Sequence, residues 1–120
     1  MGKKIVYIAA PYTNGDVAEN VRKVITVADK LVELGYLPFV PHLTHFWHII
    51  SPKPKEFWLE LDLAFLPFCN YLLRLPGESS GADNEVLRAM ELHIPVCFNL
   101  MELERVTIEG TISLQSSSSS

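Results

Sequence analysis

The sequence predicts an open α/β fold, three layers deep (α/β/α), with a mainly parallel sheet of four or five strands between its helices. Three observations carry the prediction. Short apolar runs of strand length alternate with longer stretches at helical spacing. The connections between them are short, so successive strands run parallel with helices as crossovers. The strand runs are apolar throughout rather than alternating, as in a sheet covered on both faces. The size agrees: 120 residues, 48% hydrophobic and 20% charged, suit one domain with one core. That domain is expected over residues 1–114, with residues 115–120, a glutamine and five serines, as a disordered tail.

Taken in order, Ile5-Val6-Tyr7-Ile8 belongs to a first buried strand over 3–10. Asn14-Gly15 supplies turn chemistry after it, and Asp16 can cap the next helix. Val17, Val21, Val24, Ala28, Leu31 and Val32 recur at helical spacing, which predicts a helix over 16–34 that Gly35 ends. Leu37 to Pro41 reads as a second strand, placed at an edge by Pro38. The aromatic and histidine-rich run from His42 to Lys53 reads as a loop. Pro54 suits a helix start, and Phe57, Leu61, Ala64, Phe65 and Phe68 predict an apolar stripe on a helix over 55–68. A third strand over 70–75, a helix over 82–92 and a fourth strand over 95–100 follow. Val106 to Leu114 alternates enough to read as a last strand or a pairing arm. The order resembles flavodoxin- and Rossmann-like sheets, where ligands bind outside the carboxyl ends of the strands at a switch in strand order. The segments 9–15, 42–48 and 76–85 are expected to converge there.

Composition narrows the partners. The net charge is −4 with no basic patch, which argues against a nucleic-acid polymer but not against a single nucleotide. Cys69 and Cys97 stand far apart in apolar segments and read as free thiols of a reducing, cytoplasmic compartment. No secretory signal and no membrane-spanning run is recognised. No metal spacing stands out, since His42, His45 and His48 lack a completing cysteine or carboxylate, and no cofactor is implied.

The chemistry concentrates in Pro76-Gly77-Glu78-Ser79-Ser80-Gly81-Ala82-Asp83-Asn84-Glu85. A strand, a Gly/Ser turn and a helix start offer unpaired N–H groups to an anion. Ser79 and Ser80 add hydroxyls, and Gly77 and Gly81 admit a ligand close to the backbone. Glu85 can look back into the same crevice as nucleophile or base, or serve only as a dipole partner. Asp62 offers a second carboxylate, or an exposed helix acid. Tyr7 can orient a carboxylate from the first strand, Tyr12 can stack on a base, and the histidines with Phe46 and Trp47 can wall a pocket for an aromatic ligand.

Ile5 to Thr13, Pro41-His42-Leu43, Asp62 with Asn70, and the run 76–85 together resemble the nucleoside 2-deoxyribosyltransferase-like superfamily, over about residues 4–100. That superfamily includes deoxynucleoside 5′-monophosphate N-glycosidases. The resemblance implies Glu85 as the nucleophile on the anomeric carbon, Asp62 as a proton-handling or sugar-positioning partner, and Tyr7 as a hydrogen-bond donor to the nucleophile. It implies Ser79 at the sugar 5′ end, where serine resembles the members that take a monophosphate. Ser80, Gly81, Gly77, Ala9, Pro11, Tyr12 and His42 would complete the substrate site. Pro11 and Thr13 stand where phosphate-binding members carry serine and arginine, and Asn70 stands where an acidic residue is usual. The partner implied is a small nucleoside or nucleotide, and the assembly a homodimer or larger homo-oligomer. A non-catalytic nucleotide-binding module built on the same loop is the alternative.

Overall fold

The computed structural model describes the backbone of residues 2–119 and the side chains of residues 2–110. Strand β1 (Ile5–Ala9) lies inside a four-stranded, all-parallel sheet with β2 (Leu37–Phe39), β3 (Tyr71–Arg74) and β4 (Val96–Cys97), in the order β2-β1-β3-β4. The predicted fold class is the one found. Pro38 sits on the edge strand, paired in register with Val6. The strand order reverses between β1 and β3, so a crevice opens at their carboxyl ends.

The pleat of β1 divides the interior in two. Val6, Ile8 and Ala10 pack with Val24, Ala28 and Leu31 of helix α1 (Val17–Glu33) and with Leu103 of helix α5 (Leu100–Ser119). Tyr7 and Ala9 face the other way, against Leu66 and Cys69 and against Ala82 and Ala89 of helix α4 (Ser80–Glu91). Adjacent strand residues point to opposite faces, so the tyrosine is delivered to the layer that carries α4.

Local chemistry fixes the helix ends. Asp16 accepts from the N–H groups of Ala18 and Glu19 at the start of α1. At its end Gly35 adopts φ +96°, and Tyr36 N–H reaches the Leu31 carbonyl at 2.9 Å while Gly35 N–H reaches Val32. That double bond closes the helix only because the intervening residue is left-handed. The same closure ends α4, with His93 at φ 60° in place of glycine and Ile94 N–H on the Ala89 carbonyl at 2.8 Å.

Four expectations are corrected. Residues 42–53 are not a loop throughout: Pro41–Thr44 form a 3₁₀ turn that leads into helix α2 (His45–Ile50). The predicted helix over 55–68 is helix α3 (Lys55–Phe65) followed by a 3₁₀ turn at Leu66–Phe68, where Pro67 cannot continue the ladder. Its predicted stripe is out of phase: Phe57, Ala64, Phe65 and Phe68 are exposed, whereas Leu63 and Leu66 pack on the core. Apolar residues lie on both sides of α3, so spacing alone does not set the phase. Val106 to Leu114 is not a strand but part of α5, because Leu100, Leu103 and Val106 share a helical face against the core. Asn99 starts that helix by accepting from Glu102 N–H at 2.8 Å, while the Glu102 carboxylate accepts from Phe98 N–H at 2.9 Å. Helix α5 thus lies on the face of the sheet opposite α4. The tail expected over 115–120 lies outside the residues whose side chains are described.

Candidate active site

A cleft of about 500 Å³ opens at the carboxyl ends of β1 and β3. The loop after β1 supplies Ala10, Tyr12, Thr13 and Asn14, the α2 region supplies His42, Thr44 and His48, and α3 supplies Trp58, Leu59 and Asp62. The loop before α4 and its first turns supply Ser79, Ser80, Gly81 and Glu85. The three converging segments are the predicted ones, and α3 is a fourth.

Glu85 lies at the cleft with only 6% of its surface exposed. The fully buried Tyr7 donates its hydroxyl hydrogen bond to the Glu85 carboxyl. Burial pushes the Glu85 carboxyl up to about 8, and the charge of Asp62 adds to the rise, while the Tyr7 bond and Arg74 oppose it. Burial also lifts Asp62 to about 7. The Tyr7 hydroxyl is raised above its usual range by burial and by both carboxylates, so it stays protonated and a donor. Burial thus lifts both carboxyls well above the ordinary carboxylate range, and the charge of Asp62 further opposes ionisation of Glu85.

The Ser/Gly turn is built as a helix start. Ser79 caps α4, its Oγ accepting from Ala82 N–H at 3.1 Å. The N–H groups of Ser80 and Gly81 in the first turn have no helical acceptor. A Cβ on Gly81 would meet only Ser79 Oγ, at 3.9 Å, so the space over it is open.

Gly77, Ala9 and Pro11 stand behind the cleft wall rather than in it. Ala9 is fully buried. Gly77 adopts φ +117°, and a Cβ there would lie 2.7 Å from Pro11 Cγ, so glycine lets the loops after β1 and β3 touch. The Pro11 carbonyl accepts from His42 Nε2 at 2.8 Å, and burial lowers the pKa of that imidazole. Tyr12 meets the ring edges of His42 and His45, and its hydroxyl lies 2.5 Å from His45 Nδ1. Asn70 is at the far end of the sheet, where its side chain accepts from Ile5 N–H at 2.7 Å and pins β1 to β3. Among the described residues no group of three His, Cys, Asp or Glu side chains is placed to hold a metal ion. Among the same described residues no helix is long and apolar enough to cross a membrane.

Several residues at or beside the site escape sequence reasoning. Lys55 crosses from α3 to donate to Ser80 Oγ at 3.1 Å, and Lys53 also lines the cleft. Arg74, nearly buried at the end of β3, donates to the Leu75 carbonyl, to the Gly77 carbonyl at 2.8 Å and to Asp83 at 3.1 Å. It thereby ties the Gly/Ser loop to the first turn of α4. An arginine ending an apolar strand just before a glycine loop is the signal that could have found it.

A family model described as Domain of unknown function (DUF7768) matches residues 4–99. The chain belongs to the DUF7768 family. The matched stretch contains Tyr7, Asp62, Arg74 and Glu85 and stops one residue before α5. No curated protein matches the chain. Among solved structures it is similar to the 2-deoxyribosyltransferase of the psychrotolerant bacterium Bacillus psychrosaccharolyticus. That likeness has a TM-score of 0.58 and 21% identity over 81% of this chain and 78% of that one. At this identity it establishes a shared fold.

Proposed function

We propose that the protein is an N-glycosidase or (deoxy)ribosyltransferase that cleaves the base–sugar bond of a nucleoside or nucleoside 5′-monophosphate, with Glu85 as nucleophile. The observation that carries the reading is the buried Glu85 carboxyl at the cleft, bonded by Tyr7 and sharing the cleft with Asp62. Breaking an N-glycosidic bond builds positive charge at C1′, which a carboxylate about 3 Å away captures. In this reading Glu85 forms an ester bond to C1′ as the C1′–N bond breaks. The reacting form has Glu85 ionised and Asp62 protonated, and the departing base takes its proton from the Asp62 carboxyl. Water then attacks C1′ with Asp62 accepting its proton, or a second base replaces water, giving hydrolysis or transfer.

The same arrangement supports a 5′-monophosphate as substrate. The open N–H groups of Ser80 and Gly81, the Ser80 hydroxyl and the Lys55 ammonium offer at one spot the donors that a phosphate needs. Lys55 supplies the positive charge that the loop holding Pro11 and Thr13 lacks. A homo-oligomer of the cytoplasm belongs to the same reading, with the exposed Phe57, Phe65 and Phe68 of the α3 segment as apolar surface to cover.

The competing reading is a nucleotide-binding module without turnover. It is favoured by the rise of Glu85 to about 8, because a protonated carboxyl is no nucleophile. Incubation with a panel of deoxynucleosides and their 5′-monophosphates, followed by chromatography for free base, separates the two. The expected result is base release by the native protein and none by Glu85→Ala, with binding kept by the variant. Release by that variant would sink the assignment, and binding without release by the native protein would establish the module.

A further inference from the structure

The cleft wall contributed by α2 and α3 contains a histidine whose tautomer is fixed by its neighbours. Trp58 Nε1–H donates to His48 Nδ1 at 2.8 Å, with the two rings nearly perpendicular at 81°. The backbone N–H of Lys53 approaches the same nitrogen at 3.3 Å. An imidazole nitrogen has one lone pair, so a nitrogen that receives N–H donors carries no proton. The proton of His48 therefore sits on Nε2, on the other side of the ring. No partner for Nε2 exists among the described residues, and the side chain lines the cleft that holds Asp62 and Glu85. The site thus presents an oriented N–H donor without an acceptor of its own among the described residues, beside the indole of Trp58 in a cleft that Tyr12 and His42 also line.

From this geometry we infer that His48 reads the leaving base: its Nε2–H donates to an in-plane acceptor, a ring nitrogen or carbonyl oxygen, of a heterocycle bound against this aromatic wall. The inference rests on the proposed glycosyl chemistry for its consequence in turnover, but not for the binding itself. The 5′ end of the substrate is assigned to Ser80, Gly81 and Lys55, and C1′ to Glu85, which leaves the aromatic wall for the base. Trp58 is then a positioning residue. It does not need to touch the substrate, because its indole N–H already selects which nitrogen of His48 is the donor. A ring fixed in this way rejects a base that lacks an acceptor, because the Nε2–H would be buried without a partner.

Two measurements test it. In protein labelled with ¹⁵N-histidine, long-range ¹H–¹⁵N correlations, with the His48→Gln spectrum to identify the resonance, should show Nδ1 unprotonated and Nε2 protonated. Adding free adenine or cytosine should shift the Nε2 resonance, whereas indole, which has no in-plane acceptor, should leave it unmoved. A proton on Nδ1, or equal shifts with indole, would overturn the inference. In the base-release assay His48→Phe should lose about ten-fold or more in kcat/KM on natural bases, the worth of one hydrogen bond. His48→Gln, whose amide can face Trp58 with its oxygen and the base with its N–H, should recover most of that. The loss should be the same for a nucleoside and its 5′-monophosphate and absent for an indole deoxyriboside. A loss confined to the monophosphate, or equal on the indole analogue, would place His48 elsewhere in the mechanism. If no substrate releases base but adenine moves Nε2, the glycosyl reading fails and the base contact stands.

Discussion

Replacing Glu85 with glutamine should make the fold more stable in alkaline solution and leave it nearly unchanged in mild acid. The carboxyl is raised from the ordinary 4.5 to about 8 in the folded protein, chiefly because burial penalises its charged form. Between those values the native state holds a proton that the unfolded chain has released. The contribution of this group is therefore fully present below 4.5 and is lost as pH rises through about 8. Each pH unit of displacement corresponds to about 1.36 kcal/mol, so the ionised carboxylate weakens the fold by up to about 5 kcal/mol above pH 8. Water drawn into the open cleft would reduce that toward about 2 kcal/mol. Glutamine keeps the shape and an oxygen for the Tyr7 hydroxyl and cannot ionise. Urea unfolding of both proteins, followed through Trp47 and Trp58 fluorescence at intervals from pH 5 to pH 9, gives the difference directly. It should stay below about 1 kcal/mol at pH 5 and grow to about 2–5 kcal/mol in favour of the variant at pH 9. Asp62, raised to about 7, leaves a smaller slope in both proteins, which cancels in the comparison. A difference that does not change with pH would refute the claim that burial raises the Glu85 carboxyl.

Gly77→Ala should cost about 2–4 kcal/mol in thermal or urea unfolding, since the new methyl needs both an unfavourable φ and the space of the Pro11 ring. His93→Gly should stabilise by about 0.5–1 kcal/mol, because φ 60° strains a side chain at the end of α4 and glycine relieves it. Lys55→Ala should raise KM for a 5′-monophosphate about ten-fold or more, with little effect on the free nucleoside, and should flatten the salt dependence of the former. Equal losses on both substrates would move the phosphate away from Ser80.

Much of this architecture is legible in the chain. Strand runs, the Asp16 cap and the Gly35 stop place α1 to within a residue and β1 and β2 to within two, because the helix ends depend on one or two side chains. The partnership of Tyr7 with Glu85, placed by resemblance, also follows from strand parity once the layer of α4 is known. Other parts are hidden for definite reasons. Helix α2 lies in an aromatic run, and Thr44 at its start makes no capping bond because its hydroxyl donates back to the Pro41 carbonyl. Helix α5 starts at an Asn99-to-Glu102 box that sequence patterning could have revealed, but the alternation of Val106 to Leu114 imitates a strand. The contact of Lys55 joins segments 25 residues apart, and nothing local in the sequence marks it; Arg74, bonded to Asp83 nine residues on, is marked only by its place between an apolar strand and a glycine loop.

The division of β1 between two cores has a consequence for how this protein can change. A single residue inserted between Ile5 and Ala9 would turn the tyrosine toward α1 and an aliphatic neighbour toward α4. One event would then disable the carboxylate and invert both packing layers. Variation that preserves folding must therefore leave this strand's length alone. Diversity in what the cleft accepts has to come from the rim, where Thr13, Asn14, His48 and Lys53 can be exchanged without disturbing the sheet.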